Sequence, residues 1–213
     1  MESCLQVSET FVSIQGESTF AGWPCFFIRL TGCNLRCSYC DTAYAFAGGK
    51  SMPITHLVKA FLATGLDCVE VTGGEPLLQP GTPALLKALQ DARPGVVVLV
   101  ETNGSQDISV VPSGVIAIMD IKCPASGTSA AFDWQNLERL RPQDEVKFVI
   151  SDRADFDWAV RIVNEHHLAS KCHAVLFGPV SGRVEPAVLA EWLMASRVRA
   201  RLNLQLHKLV GMR

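Results

Sequence analysis

Along the chain, short apolar runs of strand character alternate with segments whose apolar residues recur at helical spacing. The pattern predicts strands at Cys25–Leu30, Cys68–Thr72, Val96–Glu101, Val115–Ile121, Glu145–Ile150, Ala174–Phe177 and Leu202–Leu206. Their near-continuous Val, Ile, Leu and Phe content is that of a parallel sheet covered by helices. Between them, Ile54, Leu57, Val58, Phe61 and Leu62 fall on one face of a helix. Thr82-Pro83 predicts another helix start, with Thr82 as N-cap and Pro83 at the first helical position. Ser151 or Asp152 caps a helix carrying Phe156, Ala159, Val160 and Val163. Glu185-Pro186 opens the last, with Val188, Leu189, Trp192 and Leu193 on its apolar face. The link between Glu101 and Val115 is too short and too rich in polar, Pro and Gly residues for a full crossover helix. A closed eight-unit barrel typically takes about 250 residues, against 213 in this chain. The expected fold is therefore α/β: a partial, open parallel β/α barrel with a reduced set of helices. No repeat or linker interrupts the pattern, so residues 1–213 read as one domain. Ligands in such sheets gather at the C-terminal ends of the strands.

Composition narrows the setting. The chain is 48% hydrophobic and 19% charged, with ample apolar material for one core. No apolar run approaches the roughly 18 residues needed to cross a bilayer. The start, Met1-Glu2-Ser3-Cys4, lacks the basic-then-apolar layout of a secretory signal. A formal net charge of −2 gives no global field for nucleic acid or anionic membranes. The basic run Arg197-Val198-Arg199-Ala200-Arg201 is either a solvated face or a docking patch for an acidic electron-donor protein. Eight cysteines in a chain with this much core do not call for a disulfide scaffold, and free thiols suit a reducing cytosol. Cys25 and Cys68 read as small buried hydrophobes. Cys4, Cys123 and Cys172 match no ligand spacing and read as structural.

The remaining three cysteines, Cys33, Cys37 and Cys40, share one loop, Gly32 to Asp41, directly after the first predicted strand. Three thiolates are one short of the four that a [4Fe–4S] cluster normally takes, which leaves one iron open to a small molecule. Gly32 lets the backbone bend close to such a cluster. A structural zinc site would need a fourth ligand, usually from a second paired motif, and no second C-x-x-C or H-x3-H occurs.

Other strand ends carry polar groups. Gly73-Gly74-Glu75-Pro76 is either a tight turn using φ > 0 or a bare stretch of backbone that a ligand's amino or carboxylate group approaches. Glu101-Thr102-Asn103-Gly104 and Asp120-Ile121-Lys122-Cys123-Pro124 end the next two predicted strands. In the last run, strict alternation puts Asn203, Gln205 and His207 on one face, lining either water or the barrel lumen. The N-terminal stretch Val7–Ser18 reads as a short extended segment followed by a glycine turn bearing Gln15 and Glu17. Arg29, inside an apolar strand, needs an anion partner if buried: Glu17, or a substrate carboxylate held bidentately. His56, His166, His167 and His173 read as surface or capping residues.

The C-x3-C-x2-C loop, the Gly-Gly-Glu-Pro turn and the Glu-Thr-Asn-Gly tip together resemble the radical S-adenosylmethionine (SAM) superfamily. Phe11-Val-Ser-Ile-Gln-Gly-Glu, Cys40-Asp41-Thr42, Asp120-Ile-Lys-Cys-Pro and Gln205-Leu-His-Lys resemble, within it, the 7-carboxy-7-deazaguanine synthase family, over about residues 7–208. The resemblance implies a radical SAM-type barrel and a carbon–nitrogen lyase. The open iron would chelate SAM, and one electron would cleave it to methionine and a deoxyadenosyl radical. That radical would abstract hydrogen from 6-carboxy-5,6,7,8-tetrahydropterin. Ring contraction with loss of ammonia would give 7-carboxy-7-deazaguanine, on the route to queuosine-type bases.

Carried over residue by residue, the resemblance implies cluster ligands at Cys33, Cys37 and Cys40. It implies SAM contacts at Tyr39, Cys40, Asp41, Gly74, Glu101, Asp120, Ile121 and Lys122. Substrate contacts would be Ile14, Gln15, Gly16, Glu17, Arg29, Thr72 and His207, and Thr42 would be a Mg²⁺ ligand; apart from the family, Asp41-Thr42 reads as a turn cap. Implied partners are the pterin, an electron donor such as a flavodoxin or ferredoxin, and a second copy of the chain in a cytoplasmic homodimer, with no nucleic acid or membrane. After Lys208 the sequence runs only to Arg213, where relatives often carry a longer, tryptophan-containing tail, so that tail's contacts do not transfer. Two rivals share part of the pattern. A glycyl-radical-enzyme activase shares the cysteine spacing, but its protein substrate does not call for Gln15, Glu17, Arg29 and His207. An iron–sulfur electron carrier would want a fully ligated cluster.

Overall fold

The computed structural model describes residues 3–212; Met1, Glu2 and Arg213, on which the readings of the two chain ends partly rest, lie outside the described residues. One nine-stranded sheet organises the chain, in the order β3-β1-β2-β4-β5-β6-β7-β8-β9. The strands are β1 (Cys4–Ile14), β2 (Pro24–Leu30), β3 (Lys50–Pro53), β4 (Cys68–Gly73), β5 (Val97–Thr102), β6 (Ile116–Asp120), β7 (Glu145–Ile150), β8 (Ala174–Pro179) and β9 (Arg201–Leu202). From β2 to β9 every pairing is parallel, while β1 runs antiparallel to both β2 and β3. The helices are α1 (Ile54–Thr64), α2 (Thr82–Asp91), α3 (Asn136–Arg139), α4 (Arg153–Glu165), α5 (Leu168–Lys171), α6 (Pro186–Ser196) and α7 (Leu206–Leu209). The open, helix-poor β/α arrangement matches the expectation from pattern and length, including the short 3₁₀ turn Ile108–Val110 in place of a crossover helix.

Period two sorts the strand side chains onto two faces. On the helix side, Val69, Val71, Val98, Val100, Met119, Val146, Phe148 and Phe177 pack with Leu57, Phe61, Leu85, Leu86, Leu89, Phe156 and Leu189 in the main core. The other face changes character along each strand. Near the strand beginnings, Cys25, Phe27, Cys68, Leu99 and Ile118 form a second apolar cluster, joined by Phe11 and Phe20. One step further along the same face stand Arg29, Glu70 then Thr72, Glu101 and Asp120. An apolar floor therefore underlies a polar mouth.

The loop between β1 and β2 crosses this inner face. Ser18 N donates to Asn203 Oδ1 (2.9 Å) and Thr19 N to Glu145 Oε2 (3.2 Å). Leu206 N donates to Gly16 O (2.7 Å), so the C-terminal segment lies on the same loop.

Several local expectations change. The short extended segment expected within Val7–Ser18 is an eleven-residue strand, Cys4–Ile14, and β3, of mixed polarity, adds a strand that the apolar pattern does not announce. The last strand is two residues long: beyond Leu202 the chain leaves the sheet and turns through Gln205 into α7. Thr82 is the first helical residue, with Gly81 as N-cap, and its hydroxyl donates to Pro76 O (2.6 Å). Asp152, not Ser151, caps α4, accepting from Asp155 N (2.8 Å). Val188 stands exposed while Leu189 is buried and Trp192 and Leu193 pack on the core.

Asp155 fixes the loop after β6. Its carboxylate accepts from Ala125 N (3.0 Å) and Ser151 N (3.1 Å). Asp155→Ala leaves both donors without this acceptor and is expected to cost about 2 kcal/mol. Denaturant unfolding measures it; an unchanged midpoint would mean the two loops are held otherwise.

Candidate active site

The polar mouth is a cavity of about 640 Å³ at the C-terminal ends of the strands, a size in the usual range for small-molecule sites. Its wall includes Cys33, Cys37 and Cys40 together with Gln15, Glu17, Arg29, Thr72 and His207. Ile14, Gly16, Tyr39, Asp41, Thr42, Gly74, Glu101, Asp120 and Lys122 line it as well. Ile121 does not. It is fully buried in the main core, and its N–H donates to Lys147 O (2.8 Å), so only backbone is available there for any ligand.

The cysteine loop is seated by close backbone contact. A Cβ on Gly74 would lie 2.3 Å from Gly32 O and 2.6 Å from Cys33 Cβ. Gly32 itself has φ 101°, as a bend at that point requires. Gly73 and Gly74 do not use positive φ; the need is close approach, of Gly73 to the Leu30 backbone at the end of β2 and of Gly74 to the cysteine loop. Glu75, fully buried, accepts from Leu77 N (2.9 Å), Asn103 N (2.7 Å) and Thr102 Oγ1 (2.9 Å), tying two strand tips together. Its role is structural, and burial pushes its carboxyl above the usual range despite these bonds.

The donor set suits an iron–sulfur cluster. All eight cysteines are free. Cys33 Sγ accepts from Leu35 N (3.4 Å) and faces Asn103 Nδ2 (3.9 Å), and Cys37 Sγ lies 3.3 Å from Thr128 Oγ1. Such donors to sulfur stabilise thiolate ligands. Two buried polar atoms in the wall, Tyr39 Oη and Asp120 Oδ1, have no hydrogen-bond partner. They are groups that a polar ligand such as SAM would satisfy.

On the opposite wall the side chains are cross-linked. Gln15 donates through Nε2 to Glu70 and accepts at Oε1 from Glu17 N (2.9 Å). Both ends of its amide are thus engaged by protein. Glu17 accepts from Gln205 Nε2 (2.7 Å) and from Lys147 Nζ (2.7 Å). Burial alone would raise the Glu17 carboxyl, but Lys147 and Gln205 bring it below the ordinary value. Glu70, buried and close to Glu101, is pushed well above the carboxylate range, first by burial and then by that charge. The His207 ring lies where a Gly16 side chain would be, with Nδ1 1.7 Å from the ideal Cβ position. Burial lowers its imidazole pKa.

Arg29 does not pair with Glu17. It meets Glu9 at 2.9 Å, because Glu9 stands directly opposite it in the β1–β2 register. Of the three residues placed on one face by alternation, Gln205 and His207 line the cavity, whereas Asn203 is buried beneath the crossing loop, accepting from Ser18 N. The Arg197–Arg201 run enters β9 from its N-terminal end, away from the strand tips that carry the cysteine loop. Two site residues escaped the sequence reading, Glu70 and Lys147. Each is a charged residue inside an apolar strand run, the same signal that drew attention to Arg29.

Comparison with known proteins decides the family. Residues 27–113 match the model of the Radical SAM superfamily. A protein of Chlorobaculum tepidum named 7-carboxy-7-deazaguanine synthase is 47% identical over 98% of this chain and 95% of its own length. The chain belongs to the 7-carboxy-7-deazaguanine synthase family. A second synthase, from Koribacter versatilis, is 41% identical over 97% of this chain and 96% of its own. The crystal structure of QueE from Escherichia coli superposes with a TM-score of 0.79 at 22% identity, covering 96% of this chain and 95% of that one, a likeness of fold. As a member of this synthase family the chain is a radical SAM lyase, and the family implies a [4Fe–4S] cluster and SAM.

Gly74→Ala tests how the cysteine loop is seated. Its methyl group would strike backbone at Gly32, and bound iron and sulfide per chain after reconstitution are expected to fall by half or more, on the order of the loss expected from an overpacked site. Full loading of the variant would show that the contact is dispensable.

Proposed function

We propose that this synthase converts 6-carboxy-5,6,7,8-tetrahydropterin to 7-carboxy-7-deazaguanine by hydrogen abstraction and ring contraction with loss of ammonia, for queuosine-type 7-deazapurines. One observation supports the reading above others: the cysteine triad and the set Gln15, Glu17, Arg29, Thr72 and His207 line one cavity. Cys33, Cys37 and Cys40 would hold the [4Fe–4S] cluster, which would supply the electron for reductive cleavage of SAM to the hydrogen-abstracting radical.

The chain's own groups hold the two small molecules. Tyr39, Cys40, Asp41, Gly74, Glu101, Asp120, Lys122 and the Ile121 backbone form the SAM side. The partnerless Asp120 Oδ1 and Tyr39 Oη support that assignment. On the pterin side, the ionised Glu17 carboxylate accepts N–H groups of the heterocycle. Gln15, with both amide ends engaged, shapes that wall beside Ile14 and Gly16. Arg29 is anchored through Nε on Glu9, an arrangement that suits a guanidinium receiving the substrate carboxylate in a fork. Thr72 donates to Glu101 Oε2 (3.2 Å) at the boundary of the two sides. A His207 ring with lowered pKa is neutral near pH 7 and both donates and accepts.

Mg²⁺ would sit at Thr42, whose hydroxyl donates to Asp41 Oδ1 (3.0 Å). Hydroxyl and carboxylate oxygens are ligands for a hard cation that also keeps waters and substrate oxygens. Eight free cysteines support a reducing, cytoplasmic setting. Exposed Leu209, Val210 and Met212 on the C-terminal segment support contact with a second copy in a homodimer. A flavodoxin or ferredoxin would deliver the electron to this single domain.

Anaerobically reconstituted enzyme given reductant, SAM, Mg²⁺ and carboxytetrahydropterin is expected to yield a product with the absorbance and mass of 7-carboxy-7-deazaguanine. Deoxyadenosine release without that product would sink the substrate assignment. Arg29→Ala should raise KM for the pterin by on the order of 10- to 100-fold, the worth of a charge-assisted hydrogen bond. SAM cleavage by that variant should persist. Equal loss of both activities would instead place Arg29 in the support of the whole site.

A further inference from the structure

Lys147 projects from the cavity side of β7 with a side chain only 5% exposed. Three carboxylates from three separate elements surround its ammonium. Glu17 Oε2 in the β1–β2 loop lies at 2.7 Å, Glu101 Oε1 at the end of β5 is bonded to it, and Asp120 Oδ2 at the end of β6 lies at 3.4 Å. An ammonium has three N–H donors and no acceptor. Glu17 and Glu101 accept two of these donors and Asp120 adds an ion-pair contact at 3.4 Å, so the ammonium is committed chiefly to carboxylates. The outer oxygens of two of these carboxylates are held as well: Gln205 takes Glu17 Oε1 at 2.7 Å and Thr72 takes Glu101 Oε2 at 3.2 Å. Each of these two carboxylates is thus fixed in position and plane, with Lys147 as their common partner.

We propose that Lys147 is the positioning residue that couples the pterin side of the cavity to the SAM side, holding Glu17 on one side and Glu101 and Asp120 on the other in fixed relation. The inference rests on the division of the cavity given under the proposed function. Its physical basis is that buried carboxylates without a cation do not stay ionised. The groups facing Glu17 are Lys147 on β7, Asp120 on β6, Glu70 on β4, and Gln205 and His207 on the C-terminal segment. Among these Lys147 is the cation in direct contact. Lys122 is engaged with Asp120 at 2.8 Å, and Lys208 is bonded to Asp41 and Gln205.

Lys147→Met keeps the stem volume and removes the charge. Binding of carboxytetrahydropterin is measured by calorimetry on reconstituted enzyme with SAM and no reductant, between about pH 6 and 9. The unsubstituted enzyme should bind with little pH dependence, since Glu17 is ionised throughout. In Lys147→Met burial lifts Glu17, and affinity should fall about tenfold per pH unit below its new pKa. Adding Glu17→Gln should abolish that slope. With reductant, Lys147→Met should release deoxyadenosine without a matching amount of product.

A second readout needs no pterin. In Lys147→Met the folded-state pKa of Glu17 lies above its unfolded value, so the associated stability is present at low pH and lost as pH rises through the folded pKa. The melting temperature of Lys147→Met, relative to the unsubstituted enzyme, should therefore drop as pH rises above the unfolded carboxylate range, and Glu17→Gln should reverse the drop. A Lys147→Met enzyme with unchanged affinity, a flat pH profile and a parallel melting curve would overturn the proposal, as would a slope that survives Glu17→Gln. Should Lys147→Met fail to fold, the double variant is expected to recover folded protein, and its failure to do so would count against the coupling. Absence of 7-carboxy-7-deazaguanine from the unsubstituted enzyme would defeat the functional reading alone, leaving the melting comparison to decide the role of Lys147.

Discussion

An open sheet leaves one side of its inner face without a strand to cover it, and here a single crossing loop meets that need. Residues 15–23 span from β1 to the far strands, where Glu17 meets Lys147, Ser18 meets Asn203 and Thr19 meets Glu145. Most of the site depends on that crossing. It brings Gln15, Gly16 and Glu17 over the apolar floor, and it offers Gly16 O as the acceptor for Leu206 N, which draws His207 in. A barrel closed by hydrogen-bonded strands would need none of this. The cost is that buried charge, rather than backbone ladder, joins the two edges, and buried charge is stable only when every member has its partner.

The cation–carboxylate cluster also explains why the two halves of the cavity differ. Around Lys147 the carboxylates of Glu17 and Asp120 are held below their usual range, with burial opposing and the nearby lysines prevailing. Glu70, three strands along the sheet and bonded to the Gln15 amide rather than to a lysine, is driven the other way. Glu17 and Glu70, in one cavity, are thus pushed in opposite directions: Lys147 and Gln205 bond Glu17 directly, while burial and the Glu101 charge outweigh the lysine at Glu70. Next to the cysteines the logic is steric. Bare backbone at Gly74 accepts Gly32 and Cys33, and Glu75 below it pins the tips of β4 and β5 in place.

Much of this was legible because the fold repeats a simple rule. Continuous apolar runs such as Val97–Val100 announce a parallel sheet buried on both faces, and the polar residues that end each run fall at the mouth. The C-x3-C-x2-C loop was readable because its chemistry needs only local spacing. Tertiary pairing was less accessible. Glu17 and Arg29 looked like partners, yet strand register set Glu9 opposite Arg29. The alternation of Leu202–Leu206 mimicked a long strand, but Leu206 is claimed by Gly16 and the segment turns away. Neither outcome can be derived without knowing which loop crosses the sheet.

Lys147 shows the limit most clearly. In Glu145-Val-Lys-Phe-Val-Ile it reads as one polar interruption in a buried strand, and a lone buried lysine has no evident purpose. Its meaning comes from three residues 27 to 130 positions away, each a polar strand tip or turn residue in its own right. The glycyl-radical-activase reading loses ground for the same reason. A protein backbone substrate needs an open groove, whereas this cavity has its wall filled by interlocked side chains with few donors to spare. Near-full-length identity to named synthases is independent of that argument and points the same way. The cysteine loop and the crossing loop, with the lysine it meets, form opposite walls of one cavity.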